Sequence, residues 1–391
     1  MEDNEIFSMK KDDPMAKDAM DEFEVPREVI KVVGVGGAGG NALNTIIRSG
    51  TEDVDFIAGN TDVAALRHSE AKDRLILGLN VTKGRGAGGE PEVGENAAKE
   101  SQEEIANVLA GSDMVFITAG MGGGTGTGAA PVVAEIAKEK VGALVVAIVT
   151  KPFEWEGTKR IQRAEEGIQK LREKVDALIV VENDRLTELS DKSTTVTDAF
   201  AMSDEVLRQA VTGVSGVIRN VMQVNVDFAD VCTVMRNAGS AIMGVGEARG
   251  EGRVLAAARA AMNGPLMTVP MSGASAVLYT IQYGEDLTML ELNEAAKLIS
   301  SSARQGANII WGRDHDPSLG DTVRFTLIAT GFKENQVDDG VELGNDGGLF
   351  GTPSNLTPSD VVTKEPFSIF DTLGMGNGYD IPTSNRAKKR K

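Results

Sequence analysis

Gly120-Met121-Gly122-Gly123-Gly124-Thr125-Gly126-Thr127-Gly128 lies between an apolar run at residues 114–119 and a helical pattern at 129–140 (Val132, Val133, Ile136, Ala137). Six of its nine positions are glycine, and glycine is costly to order, so the loop needs a reason to exist. Backbone N–H groups in such a loop form a nest for anions, and the helix after it adds the positive end of its dipole. Thr125 and Thr127 add hydroxyl donors for phosphate oxygens. No Gly-Lys-Ser/Thr follows, so the loop is not a Walker A. It reads as a phosphate-binding loop of another kind, with a flexible surface loop as the alternative.

A second glycine run, Gly34-Val35-Gly36-Gly37-Ala38-Gly39, follows the apolar stretch 29–35 and precedes a helical pattern at 41–47. It fits the dinucleotide fingerprint, and it also fits a plain strand-to-helix turn. The acidic residue that a dinucleotide site wants after the second strand is poorly matched, because Asn60 comes first and Asp62 later. Working outward, short apolar runs at 56–58, 144–149 and 177–181 alternate with helical patterns, which predicts a mostly parallel sheet wrapped by helices. Residues 204–222 carry apolar side chains at steps of three and four, which predicts a long helix with a broad buried face, capped by Ser203 or Asp204. Its interior Gly213 and Gly216 imply close packing. A helix at 253–262, a strand at 276–282, a helix at 287–302 and strands at 307–311 and 322–329 predict a second, smaller α/β domain with no nucleotide of its own.

The formal net charge of −18 argues against general nucleic-acid binding. The single cysteine, Cys232, excludes an internal disulfide framework. Cys232, His68 and His315 show no metal spacing, so no metal ligand is assigned. The N-terminus has no secretory h-region, and the longest apolar run, 141–149, is about half of what a bilayer crossing needs. These features predict a cytoplasmic chain without direct membrane insertion.

Taken together, the loops resemble those of the FtsZ family, tubulin homologues that build the bacterial division ring. The resemblance continues through Val149-Thr-Lys-Pro-Phe153, Glu156-Gly-Thr-Lys-Arg160, Asn183-Asp-Arg-Leu186 and Val224-Asn-Val-Asp-Phe-Ala-Asp230, and runs over about 30–332. It implies a tubulin-like α/β fold: a Rossmann-like parallel-sheet GTPase domain joined by a long central helix to a second, smaller α/β domain. The implied divisions are a disordered acidic extension (1–28), a GTP-binding domain (29–203), the central helix (204–224) and a C-terminal activation domain (225–332). A flexible linker (333–378) and a partner-binding peptide with a basic end (379–391) follow.

The resemblance also implies roles. Gly37, Ala38, Gly39, Gly40 and Asn41 would form the first phosphate-contacting loop, and Gly124, Thr125 and Gly126 the centre of the second. Glu156 would face the ribose, and Arg160 the phosphates or the ribose edge. Asn183 and Asp204 would hydrogen-bond the guanine edge, with Phe200 stacking on the base. Asn225, Asp227 and Asp230 would trigger hydrolysis. Taken singly, these residues have plainer readings: Glu156 and Arg160 as a helix-surface ion pair, Asp227 and Asp230 as a solvated face or a cap, Phe200 as core. The implied ligands are GTP and GDP, with Mg²⁺ held mainly by the phosphates and water.

The predicted helix length carries a mechanistic expectation. About 20 residues at about 1.5 Å each separate Asp204 from Asn225 by near 30 Å. One molecule would then have an incomplete site, and the acidic loop would come from a neighbour stacked head to tail, which makes a filament. The implied partners are further copies of the chain, and membrane tethers and division regulators through 379–391. Tyr379-Asp-Ile-Pro-Thr383 is similar to the family's terminal peptide, but Ser384 and Asn385 are polar where the family has an apolar pair. The implied setting is septation at mid-cell. An NAD(P)-dependent oxidoreductase using the first loop, and a GTP-binding regulator without a dynamic polymer, are the competing readings.

Overall fold

The computed structural model describes residues 28–51, 54–188, 190, 193–219, 227–264, 266–284 and 287–332. Asn225, most of 1–28 and all of 333–391 lie outside them. In chain order, β1 (Ile30–Val35) runs into α1 (Gly36–Arg48), β2 (Asp55–Asn60) into α2 (Val63–Arg67), and β3 (Asp73–Ile76) into α3 (Leu79–Thr82). Helices α4 (Pro91–Glu100) and α5 (Gln102–Leu109) lead to β4 (Met114–Gly120), and α6 (Thr125–Glu135) ends in a π-helical turn, Ile136–Val141. Then come β5 (Leu144–Lys151), α7 (Thr158–Arg172), β6 (Ala177–Glu182), α8 (Asn183–Thr187) and α9 (Val196–Arg219). The last part comprises α10 (Phe228–Met235), β7 (Gly239–Arg249), α11 (Arg253–Asn263), β8 (Ala276–Tyr283), α12 (Met289–Ser302), β9 (Asn308–His315) and β10 (Thr322–Thr330).

The strands form one sheet in the order β3-β2-β1-β4-β5-β6-β7-β10-β8-β9. β1 to β7 pair in parallel, and β10 lies antiparallel between β7 and β8. β4 and β5 are buried along almost their whole length, as a parallel sheet covered on both faces requires. The expected α/β class and the mostly parallel sheet are present. The two halves are joined more closely than expected, because β6 and β7 pair directly at Ala177↔Gly239, Leu178↔Ser240 and Ile179↔Ala241. One core cluster accordingly runs from Ile30 and Leu43 through Val206 and Val214 to Leu278 and Ile328.

Two helix starts differ from the sequence reading. The long helix begins at Val196, not at Asp204. Thr195 and Asp198 cap it reciprocally: Asp198 accepts from the Thr195 amide (2.8 Å) and hydroxyl (2.6 Å), and the Asp198 amide donates to Thr195 Oγ1 (3.2 Å). Ser203 and Asp204 therefore sit inside the helix and cap nothing. Likewise α6 begins at Thr125, inside the glycine loop. Part of that loop's glycine content serves packing: a Cβ on Gly128 would lie 1.9 Å from Pro91 O, where α4 crosses α6.

Candidate functional site

β1 and β4 are neighbours and end side by side, with Val35 opposite Ala119. Both glycine loops therefore open on the same edge of the sheet. They also press against each other. Gly36 has φ +77°, and a Cβ there would lie 2.9 Å from Gly126 N. A Cβ on Gly120 would lie 2.5 Å from the Ala38 methyl. On the outer side the loops are open, since a Cβ on Gly37, Gly40 or Gly123 would meet nothing within 4 Å. Neither α1 nor α6 carries a side-chain cap at its start, so their first N–H groups remain free to receive an anion.

The two threonines of the second loop divide their work. Thr125 Oγ1 lies 2.6 Å from Thr61 Oγ1 at the rim of the site. Thr127 is buried, and its hydroxyl accepts from Gly122 N at 2.8 Å. The expectation that Thr127 reaches a phosphate is thus corrected: it shapes the loop from within.

Beside the second loop lies an open hollow of about 610 Å³, lined by Gly89, Gly122, Gly124, Glu156, Arg160 and Arg163 among others. That is the size range of small-molecule sites. Glu156 ends a 3₁₀ turn, and α7 starts just after it. Its carboxylate accepts from Phe153 N (3.0 Å) and pairs with Arg160 at 3.1 Å. The ion pair that the spacing allowed is present, and it lies on the wall of the hollow.

Further along the same edge, Asn183 opens α8 just past the end of β6. It is buried, and Oδ1 accepts from Ser203 Oγ at 2.9 Å. Asp204 follows on α9. Burial pushes its carboxyl up to about 7, because desolvation penalises the charged form. Phe200, one turn earlier, is 41% exposed and so is not plain core. It makes edge contacts with Phe153 (5.7 Å) and Trp155 (5.8 Å), and Trp155 stacks on Phe153 at 5.0 Å while remaining 57% exposed. Arg163 lines the hollow, and Trp155, Thr61 and Ser203 touch the candidate residues Phe200, Thr125 and Asn183; the sequence reading passed over all four. A tryptophan next to Glu156 was the available signal for Trp155.

Asp227 and Asp230 are elsewhere. Asp227 caps α10, accepting from Ala229 N at 3.3 Å, so one of its plainer readings holds. The end of α10 is fastened to the opposite edge of the sheet, where β4, β5 and β6 begin. Asp176, just before β6, accepts from Asn237 N (3.3 Å) and Val145 N (2.9 Å) and pairs with Lys138 at 3.0 Å. Gly239 N donates to the Asp176 carbonyl at 3.0 Å. Cys232, on α10, has its thiol pushed up, first by burial and also by the charges of Asp176 and Asp113. The seven residues of β4 set the two edges about 20 Å apart at about 3.3 Å per residue. This replaces the length estimate from the helix, whose start lay eight residues earlier than the sequence suggested.

Two family models match the chain: the Tubulin/FtsZ family GTPase domain over residues 29–191, and the FtsZ family C-terminal domain over 239–333. Among solved structures, an empty FtsZ dimer from M. jannaschii is 44% identical, covering 82% of this chain and 92% of that one, with a TM-score of 0.76. CetZ2 from Haloferax volcanii, in a GTPγS-bound protofilament, is 22% identical over 78% of this chain and 94% of that one, with a TM-score of 0.69. CetZ1 from the same organism, a GDP-bound monomer, is 22% identical over 78% and 95%, at 0.68. The last two share the fold.

Proposed function

This chain belongs to the Tubulin/FtsZ family and carries its GTPase domain, and from that premise we propose that it hydrolyses GTP at a site completed by the next copy in a head-to-tail filament. The observation that supports this most is the division of the site between two edges of one sheet. The glycine loops open on one edge, while the helix that starts at Asp227 and Asp230 is fastened to the other edge just past its C-terminal end. With the edges about 20 Å apart, the carboxylates of α10 are proposed to stay out of reach of a phosphate held by the chain's own loops. A copy stacked on that edge supplies them. Such a contact is heterologous and does not close, so it propagates as a filament.

In this reading, backbone amides at Gly37, Ala38, Gly39, Gly40, Gly124 and Gly126, with Asn41 and Thr125, hold the phosphates. Glu156 and Arg160 take the ribose side. Asn183 and Asp204 accept from or donate to the guanine edge, and Phe200 stacks on the base with Trp155 beside it. Asp227 and Asp230 of the neighbouring copy orient the attacking water, and Asn225 supports their loop. No covalent nucleophile is required, because positioning and electrostatics dominate phosphoryl transfer. Mg²⁺ is proposed to be held mainly by the phosphates and water.

The same reading places the filament in a division ring at mid-cell, tethered through 379–391. No described helix is long and apolar enough to cross a membrane. The test is GTP turnover against protein concentration. A specific activity that rises from near zero through a threshold supports the shared site. A rate strictly linear in protein from the lowest concentrations refutes it.

A further inference from the structure

Between α3 and α4 the chain runs as a glycine-rich strap beside the hollow. Lys83, Gly84, Gly86, Gly88 and Gly89 all have positive φ, so the strap is built largely from left-handed turns and has much conformational freedom to lose on ordering. Its first half is fastened by backbone bonds, from Val63 N to Gly84 O and from Gly86 N to Thr61 O, both at 3.1 Å. Its second half lies against the phosphate loop: a Cβ on Gly124 would sit 2.9 Å from Glu90 N. That half is also reached from across the hollow. Arg163, on α7 and partly buried, donates through Nη1 to Gly89 O at 2.6 Å and through Nη2 to the Glu90 carboxylate. Both Gly89 and Arg163 line the hollow.

We propose that Arg163 is a clasp that sets how fast the nucleotide leaves. It joins the strap to α7, whose first turn carries Arg160, and so ties two walls of the hollow together. Its two prongs differ in kind. The bond to the Gly89 carbonyl is to backbone and partly buried. The partner carboxylate of Glu90 is 58% exposed, so that pair is weak and screened by salt. Arg163 is a positioning residue: it acts through the strap. The inference rests on the proposed nucleotide site.

The experiment is displacement of a fluorescent GDP analogue from the full-length protein by excess GDP. Arg163→Ala is expected to release it about tenfold faster, the equivalent of one charge-assisted hydrogen bond of about 1.4 kcal/mol. Arg163→Lys, which cannot fork to both partners, is expected to fall between the variant and the wild type. Glu90→Gln removes only the exposed prong and should speed release less, by an amount that raised salt reproduces in the wild type. Arg163→Ala releasing nucleotide at the wild-type rate overturns the clasp. So does a melting-temperature loss that is equal in the Ala and Lys variants and accompanied by equal release rates, because that pattern marks a general folding role. A wild-type chain that binds no guanine nucleotide overturns the functional reading, and the clasp with it.

Discussion

Lowering the pH from 8 to 6 is expected to weaken guanine-nucleotide binding about tenfold through Asp204 alone. Without ligand, burial holds this carboxyl at about 7 against an ordinary 3.8. A bound guanine would present N–H donors to it, and donors favour the carboxylate. Binding then requires the deprotonated form, which is about nine-tenths populated at pH 8 and about one-tenth at pH 6 by the titration curve of a group near 7. The tenfold change is about 1.4 kcal/mol. Affinity for GDP, measured by calorimetry across that range in wild type and in Asp204→Asn, isolates the effect, since the ligand's own titration is common to both. The variant should bind more weakly at pH 8 and lose this part of the slope. The stability of the nucleotide-free protein has the opposite sign. A raised carboxyl contributes stability that is full below about 3.8 and lost as pH rises through about 7. Parallel slopes in wild type and Asp204→Asn would refute the assignment of Asp204 to the base.

Two other perturbations follow from the geometry. Asp176→Ala removes the acceptor for Val145 N and Asn237 N and the acid beside the partly exposed Lys138; a loss of about 2–3 kcal/mol in denaturant unfolding is expected from amide donors left without their acceptor, and a loss below about 1 would show that the anchor is idle. Gly36→Ala forces a left-handed φ on a residue with a Cβ and drives that Cβ against Gly126 N; about 1–3 kcal/mol of stability and most of the nucleotide affinity should go, and unchanged GDP binding would show that the two loops need not touch.

How much of this was legible in the chain depends on the range of the cause. Gly120 to Gly128 reads as a phosphate loop because backbone approach to an anion demands glycine locally. Even so, Gly128 answers to packing against Pro91, a contact 37 residues away in sequence that no loop reading reveals. The start of α9 was misplaced because Ser203 and Asp204 look like caps. Aspartate is a poor interior helix residue, which makes Asp204 look like a helix start; the true capping box at Thr195 and Asp198 lies two turns earlier. The β6–β7 pairing that merges the two halves depends on three residue pairs and leaves no pattern in either strand. Arg163 was invisible for the same reason, since its partners Gly89 and Glu90 come from a strap more than seventy residues upstream. The candidate residues were legible one by one; that the glycine loops open on one edge and α10 is fastened to the other came from the fold.

That separation is tested most directly by mixing two inactive variants. Asp230→Ala keeps its phosphate loops and lacks the hydrolytic carboxylate. Gly124→Asp, which puts a charged side chain where a Cβ already meets Glu90 N at 2.9 Å, loses the nucleotide and keeps Asp227 and Asp230. Each alone should turn over little GTP at any concentration. Mixed in equal amounts, they should recover turnover well above the sum of the separate rates, because an intact loop on one copy meets an intact α10 on the next. A mixture that gives only the sum would contradict a site shared between copies.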